Sequence, residues 1–271
     1  LPFGESLIQD SQFTRKNLRH VIHLLTTELK ARGTKTPHVF LPFRLRIGDS
    51  KLERFLMGLF PRNGELAPPD IYTPLIQRTD EFTLICSLKY LWCRLPNLEV
   101  IGWDVYLEFK RLEKAAGYPR NAFLQIMPKC LSLQAHALIV YDFLDLLISV
   151  SLNSQYNFLS GRKVAKMAAI WAFNCRSQAR KSKNNGFHSG NGRAAHPFYD
   201  ATIPHEFNFV EGLEAWKSTN GALFHLLLSF LRAMLPEREL ETLKLPKTLQ
   251  QLLITNLYPP LDATELLKLK I

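Results

Sequence analysis

Two pairs of residues in this 271-residue chain have the types and spacing of reactive groups. Asp142 and Asp145 stand three apart in an apolar run, which places both carboxylates on one face of a helix. Paired carboxylates can divide acid and base work between them. On a buried helix such a pair also serves as a polar stripe, or as partners for a nearby Lys or Arg. His20 and His23 have the same spacing, and two imidazoles on one face can ligate a metal. No third ligand follows at metal-site spacing and no HExxH is present, so the pair reads as solvated or capping groups and no metal is expected. Cys86, Cys93, Cys130 and Cys175 show no CxxC spacing and read as small buried apolar groups. No GxxxxGK[ST] or GxSxG occurs. Gly190-Asn-Gly192-Arg-Ala-Ala carries part of a dinucleotide fingerprint but follows no strand, so it reads as loop. No cofactor is expected.

The elements that must position these groups are helical. There are 47 Leu against 14 Ile and 8 Val, and no strict alternation extends beyond three or four residues, so the expected class is all-α. Leu18, Val21, Ile22, Leu25 and Leu29 recur at helical spacing over 15–32, with Thr14 as N-cap and Gly33 as stop. Pro37 and Pro42 make 34–44 an extended loop. Asp49-Ser50 caps a short helix with Leu52, Phe55, Leu56 and Leu59 on one face. Residues 61–74 read as loop. Thr79-Asp80 opens a helix that Pro96 ends, and another covers 103–114. Residues 118–131 read as an irregular or helical connection. A long helix at 133–152, an amphipathic helix at 161–173 and a last large helix at 211–234 follow. The most apolar stretch, 131–152, carries His136, Asp142 and Asp145. Two carboxylates in mid-span are costly in lipid, so it reads as a core helix.

The net charge is +10. Much of the excess falls at 175–199, where Arg176, Arg180, Lys181, Lys183 and Arg193 stand without an acid among glycines and asparagines. That composition reads as a mobile basic loop and a candidate contact for an anionic membrane. Only Phe187 is aromatic between 175 and 195, so single-stranded nucleic acid is not the expected partner. Scattered cysteines and the absence of an N-x-S/T acceptor suit a reduced, cytoplasmic compartment. A chain that begins at Leu1 is expected to be a fragment of a longer protein.

Three stretches, in order, resemble signatures of the Rho GTPase-activating (RhoGAP) family. The first is Arg32-Gly33 followed by Thr36-Pro-His-Val-Phe-Leu41. The second is Leu88-Lys89-Tyr-Leu-Trp-Cys-Arg94-Leu95-Pro96, with Tyr106 and Phe109 beyond it. The third is Gly161-Arg-Lys-Val-Ala-Lys-Met-Ala-Ala-Ile-Trp-Ala-Phe173. Together with LPFR at 41–44 and Glu211-Gly-Leu-Glu-Ala-Trp216, they are similar to one fungal branch, the morphogenesis or bud-emergence family. The resemblance implies a RhoGAP-like helical domain over 14–236. A helical extension at 237–271 is expected to pack on it.

The departures from the family pattern bear on chemistry. A GAP finger must be Arg, whose planar fork neutralises charge on the transferring phosphoryl group, worth about 10³–10⁵ in rate. The resemblance aligns Leu41 with the finger and Met167 with a nucleotide-orienting Asn. Arg44 and Arg46 are the nearest substitute fingers. Lys89 keeps its family position, whereas Cys93 stands at the following Arg position and Arg94 is displaced by one, about 100° around a helix. Lys89, Arg94, Arg44 and Arg46 are thus the candidate GTPase-binding residues. An ordinary solvated helix face is the alternative for Lys89 and Arg94. The expected function is a non-catalytic scaffold engaging a Rho-family GTPase, its exchange factor or a cytoskeletal effector. The expected location is the cell cortex, bud site or bud neck. An active GAP using Arg44 or Arg46, and an anionic-membrane adaptor using the basic loop, remain as alternatives.

Overall fold

Residues 14–40, 49–61, 65–174 and 209–234 are described by a computed structural model, with backbone alone at 49–50 and 209–215. Leu41, Arg44, Arg46, Cys175, the 175–199 segment and 237–271 lie outside the described residues.

Helix α1 (Arg15–Glu28) starts where the Thr14 hydroxyl accepts the Asn17 N–H. It passes into one wide π turn, Leu29–Gly33. Gly33 is not a left-handed stop. It is buried in the turn, and a Cβ there would stand 2.8 Å from a Leu29 methyl, so the glycine permits close packing. Helix α2 (Asp49–Leu59) buries Leu52, Phe55, Leu56 and Leu59, and Asp49 is its first residue rather than a cap before it.

Residues 61–74 are not all loop. Helix α3 (Pro69–Arg78) runs through Pro74. Pro69 sits at the first helical position, where its missing N–H costs nothing. Pro74 removes one hydrogen bond, but Tyr72 and Ile76 on the same face are buried, and that burial offsets the loss.

Helix α4 (Glu81–Trp92) is capped by Asp80, which accepts from the Thr83 N–H at 3.0 Å and its hydroxyl at 2.8 Å. It ends three residues before Leu95, and Pro96 opens a separate 3₁₀ turn, Pro96–Leu98. Helices α5 (Trp103–Ala115) and α6 (Ala122–Cys130) follow, so the connection at 118–131 is largely helical. Helix α7 (Gln134–Leu152) is followed by the short α8 (Ser154–Asn157), which the sequence pattern did not indicate. Helices α9 (Gly161–Phe173) and α10 (Phe209–Met234) complete the described set. Among the described residues the architecture is all-α.

Helix α7 is the axis. By length and composition alone it could cross a membrane, yet here it packs against α1, α9 and α10. Ile139, Val140, Phe143, Leu144 and Leu147 have no exposed surface. Its carboxylates are both paired: Asp142 with His23 at 3.0 Å and Asp145 with Lys30. Burial pushes the Asp142 carboxyl above its ordinary value.

A second buried polar set joins α5 to α10. His225 Nε2 donates to Glu113 at 2.8 Å and the Ser229 hydroxyl donates to the same carboxylate at 3.2 Å. The Tyr106 hydroxyl stands 3.3 Å from His225 Nδ1. Glu113 has no exposed surface, so these bonds offset the cost of burying its charge.

Asn157 is the third such anchor and is also fully buried. Its Nδ2 donates to the carbonyls of Thr34 and Val150, each at 2.7 Å, and its Oδ1 accepts from the Leu159 N–H at 2.8 Å. One side chain thus holds the Thr34 turn to the end of α7. Asn157→Ala leaves the Thr34 carbonyl and the Leu159 N–H without this partner, while Val150 O keeps the Asn153 N–H, and is expected to cost about 2–4 kcal/mol, read as a lower urea midpoint at unchanged slope. A loss below about 0.5 kcal/mol would show that other contacts hold the turn.

Candidate functional site

The sequence stretches singled out above meet around one ammonium group. Lys89 lies on α4, and its Nζ donates to the carbonyl of Phe40 at 3.4 Å. The same Nζ stands 5.4 Å from the centre of the Phe40 ring and 5.2 Å from that of Trp171 on α9. The two rings meet edge to face at 5.9 Å. Phe40 directly precedes Leu41.

Each of the three segments is fixed by local chemistry. Arg32 holds the start of the turn, donating to Glu28 and Glu81 at 2.6 Å each and to the carbonyls of Ile76 and Thr79 at the end of α3. Ile76 O also accepts from the Thr79 N–H, so one guanidinium adds to the closure of the α3 C-terminus and pins the turn. Asn157 holds Thr34, as described. Helix α4 is anchored by its Asp80 cap, which also pairs with Lys51 at 2.6 Å. Trp171 lies at the end of α9, where the orphan carbonyls of Trp171 and Ala172 accept from the N–H groups of Val100, Ile101 and Gly102 at 2.9–3.0 Å. The same strip is held from behind by His136, whose Nε2 donates to Val100 O at 2.9 Å.

Beneath the site lies Trp92, wholly buried, with its ring 5.9 Å from Trp171, 6.4 Å from Phe40 and 5.0 Å from Phe143 of α7. The void under the turn, lined by Leu29, Val39, Phe40 and Ile85, has a volume of about 10 Å³. That is smaller than ordinary small-molecule pockets, which start at about 300 Å³.

Lys89 is therefore not an ordinary solvated helix face. Burial lowers its pKa from 10.5 to about 8. Among the described residues it has no paired carboxylate; a carbonyl and two ring faces hold it. Burial also pushes the neighbouring Cys93 thiol up to about 11, so this cysteine is not a thiolate nucleophile. Arg94 stacks its guanidinium on the Tyr90 ring at 3.9 Å. It lies beyond the end of α4, so the 100° rotation expected of a continuing helix does not describe it. Met167 is half-buried and packs on the core.

The remaining candidates separate. His20 pairs with the Tyr72 hydroxyl at 3.2 Å while His23 pairs with Asp142, so the two imidazoles serve different partners. Among the described residues, no three His, Cys, Asp or Glu side chains are placed to hold a metal. Arg44, Arg46, Arg176, Arg180, Lys181, Lys183 and Arg193 lie outside the described residues. Phe40 and Trp171 were not read as site residues from the sequence. Their signal was their place within the first and third stretches, which only the fold brings together.

The sequence model of the meiotically up-regulated protein Msb1/Mug8 domain matches residues 12–271. The chain belongs to the Msb1/Mug8 domain family. Similarity to individual members agrees. The morphogenesis-related protein MSB1 of Saccharomyces cerevisiae is 42% identical over 254 residues, covering 93% of this chain and 22% of that protein. The meiotically up-regulated gene 8 protein of Schizosaccharomyces pombe is 26% identical over 204 residues, covering 73% of this chain and 24% of that protein. The Msb1/Mug8 chain described here thus spans less than a quarter of the length of these curated relatives. The fungal branch it resembles in sequence is the one these matches return.

The enclosed ammonium has a pH signature. Between pH 8 and 10.5 the unfolded chain keeps the Lys89 proton and the folded chain does not, so Lys89 makes stability rise with pH across that window. Below pH 8 both states are charged and the burial penalty is complete. Lys89→Met is expected to stabilise the Msb1/Mug8 domain by about 1–3 kcal/mol at pH 7, with the gain shrinking by pH 10. Urea melts at the two pH values check this. A gain independent of pH would mean that the ammonium is solvated.

Proposed function

We propose that this chain is a non-catalytic, RhoGAP-like binding module that engages a Rho-family GTPase, or a regulator of one, in fungal morphogenesis. The observation that carries the reading is the convergence of Phe40, Lys89 and Trp171, one from each stretch that resembles a RhoGAP signature. Phe40 and Trp171 are core residues, so in this reading they position the Lys89 ammonium and the turn that leads to Leu41.

Residue types support the non-catalytic part of this reading. Leu41 cannot neutralise phosphoryl charge, and Met167 cannot orient a nucleotide through an amide. Morphogenesis enters through the names of the relatives, one of which is described as morphogenesis-related. The proposed place of action is the cell cortex at sites of polarised growth, where a scaffold would gather GTPase and regulator.

The test is single-turnover GTP hydrolysis by a panel of Rho-family GTPases with excess chain, alongside titration against both nucleotide states. Saturable binding to at least one GTPase is expected, with turnover within about ten-fold of intrinsic, whereas a working finger adds about 10³-fold or more. Lys89→Ala and Arg94→Ala are each expected to weaken binding by about ten-fold. Stimulation of about 10³-fold would overturn the non-catalytic reading. Failure to bind any member in either state would remove the GTPase as direct partner.

A further inference from the structure

We propose that the edge formed by α8 and the exposed face of α9 is a docking site for an anionic lipid bilayer, with Phe158 and Tyr156 entering the headgroup layer. The clearest sign is a residue in the wrong conformation for its type. Phe158 follows α8 with φ 65° and ψ 19°, a left-handed position that suits Gly or Asn. A bulky side chain there is strained, and burial does not compensate, since Phe158 is 55% exposed. Neither backbone preference nor core packing accounts for a phenylalanine at this place.

Its surroundings have one character. Tyr156, two residues earlier, is 48% exposed, and the Lys35 ammonium lies 5.4 Å from its ring centre. His38, itself left-handed, places its ring 5.5 Å from that of Phe158. Lys163 donates to the Phe158 carbonyl at 3.3 Å. On α9, Lys163 shares a face with Ile170, seven residues on and 40% exposed. Arg162 and Lys166 are exposed on the flank toward α10. No Asp or Glu occurs between Asp145 and Asp200, so every formal charge on α8 and α9 is positive.

This combination favours a bilayer over a protein partner. The core of a protein interface is depleted of charge around its apolar contacts. Here the Lys35 ammonium lies over the Tyr156 ring and the Lys163 ammonium sits on the Phe158 backbone carbonyl. A headgroup layer accepts both at once: amphipathic rings settle at the boundary while lysine stems run along them and their ammonium groups meet phosphate and carboxylate. The site is distinct from the 175–199 segment and stands on described residues alone. It is also independent of the GTPase reading.

The experiment is co-sedimentation of the 271-residue chain with vesicles of phosphatidylcholine, with and without phosphatidylserine, at low and physiological salt. Binding is expected only with phosphatidylserine and should weaken as salt rises. The Lys35→Ala/Lys163→Ala double variant should lose about 25-fold in affinity, about five-fold for each lysine. Phe158→Asn should lose about ten-fold. Its melting temperature should hold or rise, because Asn takes the left-handed conformation readily, so lost binding cannot be ascribed to misfolding. Wild-type chain that ignores phosphatidylserine overturns the proposal. So does binding that survives all three substitutions and disappears only when 175–199 is deleted. If vesicles are ignored while Phe158→Asn weakens binding to a GTPase, the edge belongs to a protein interface instead.

Discussion

Trp92 is the constraint on which the rest of the structure depends. Its indole has no exposed surface and touches rings from three other segments: Phe40 in the turn after α1, Phe143 in α7 and Trp171 in α9. An aromatic cluster of this kind combines large buried area with preferred edge-to-face geometry. It therefore fixes angles as well as distances. Lys89 lies one turn earlier on α4, so the placement of Trp92 also sets where the ammonium falls.

The site above that cluster is held by polar bonds that complete unfinished helix ends. Arg32 takes up the last carbonyls of α3, and the strip Val100–Gly102 takes up those of α9. Asn157 takes up Val150 O near the end of α7 together with Thr34 O. In each case a carbonyl at or near a helix end ties one element to another. The turn carrying Phe40 is fastened at Arg32 and at Thr34, which is why it can cover a half-buried lysine. In the proposed binding mode, a partner reaching for Lys89 must displace one carbonyl and two ring faces.

How much of this was legible varied with the kind of signal. Helix α9 was legible to the residue because Val164, Ala168 and Trp171 keep a helical period between clear stops. Helices α5 and α7 were readable for the same reason. Helix α3 was not, because three prolines in seven residues signal loop, while the buried Tyr72 and Ile76 decide otherwise. Helix α8 is four residues long, too short to show a period. Gly33 was read by its commonest role, a left-handed stop. Its actual role depends on how near the Leu29 methyl comes, which no local pattern records. The Asp142 and Asp145 carboxylates were legible as sharing a face, but their partners, His23 and Lys30, lie more than a hundred residues away.

By itself the sequence determined the all-α class, most helix positions and the acid-free basic stretch. These follow from period, composition and residue type, which are local properties. Only the tertiary structure decided that Lys89 is enclosed rather than solvated, that Phe40 and Trp171 enclose it, and that Phe158 stands exposed in a strained turn. Enclosure and exposure depend on which surfaces meet, and helix packing settles that among segments far apart in the chain.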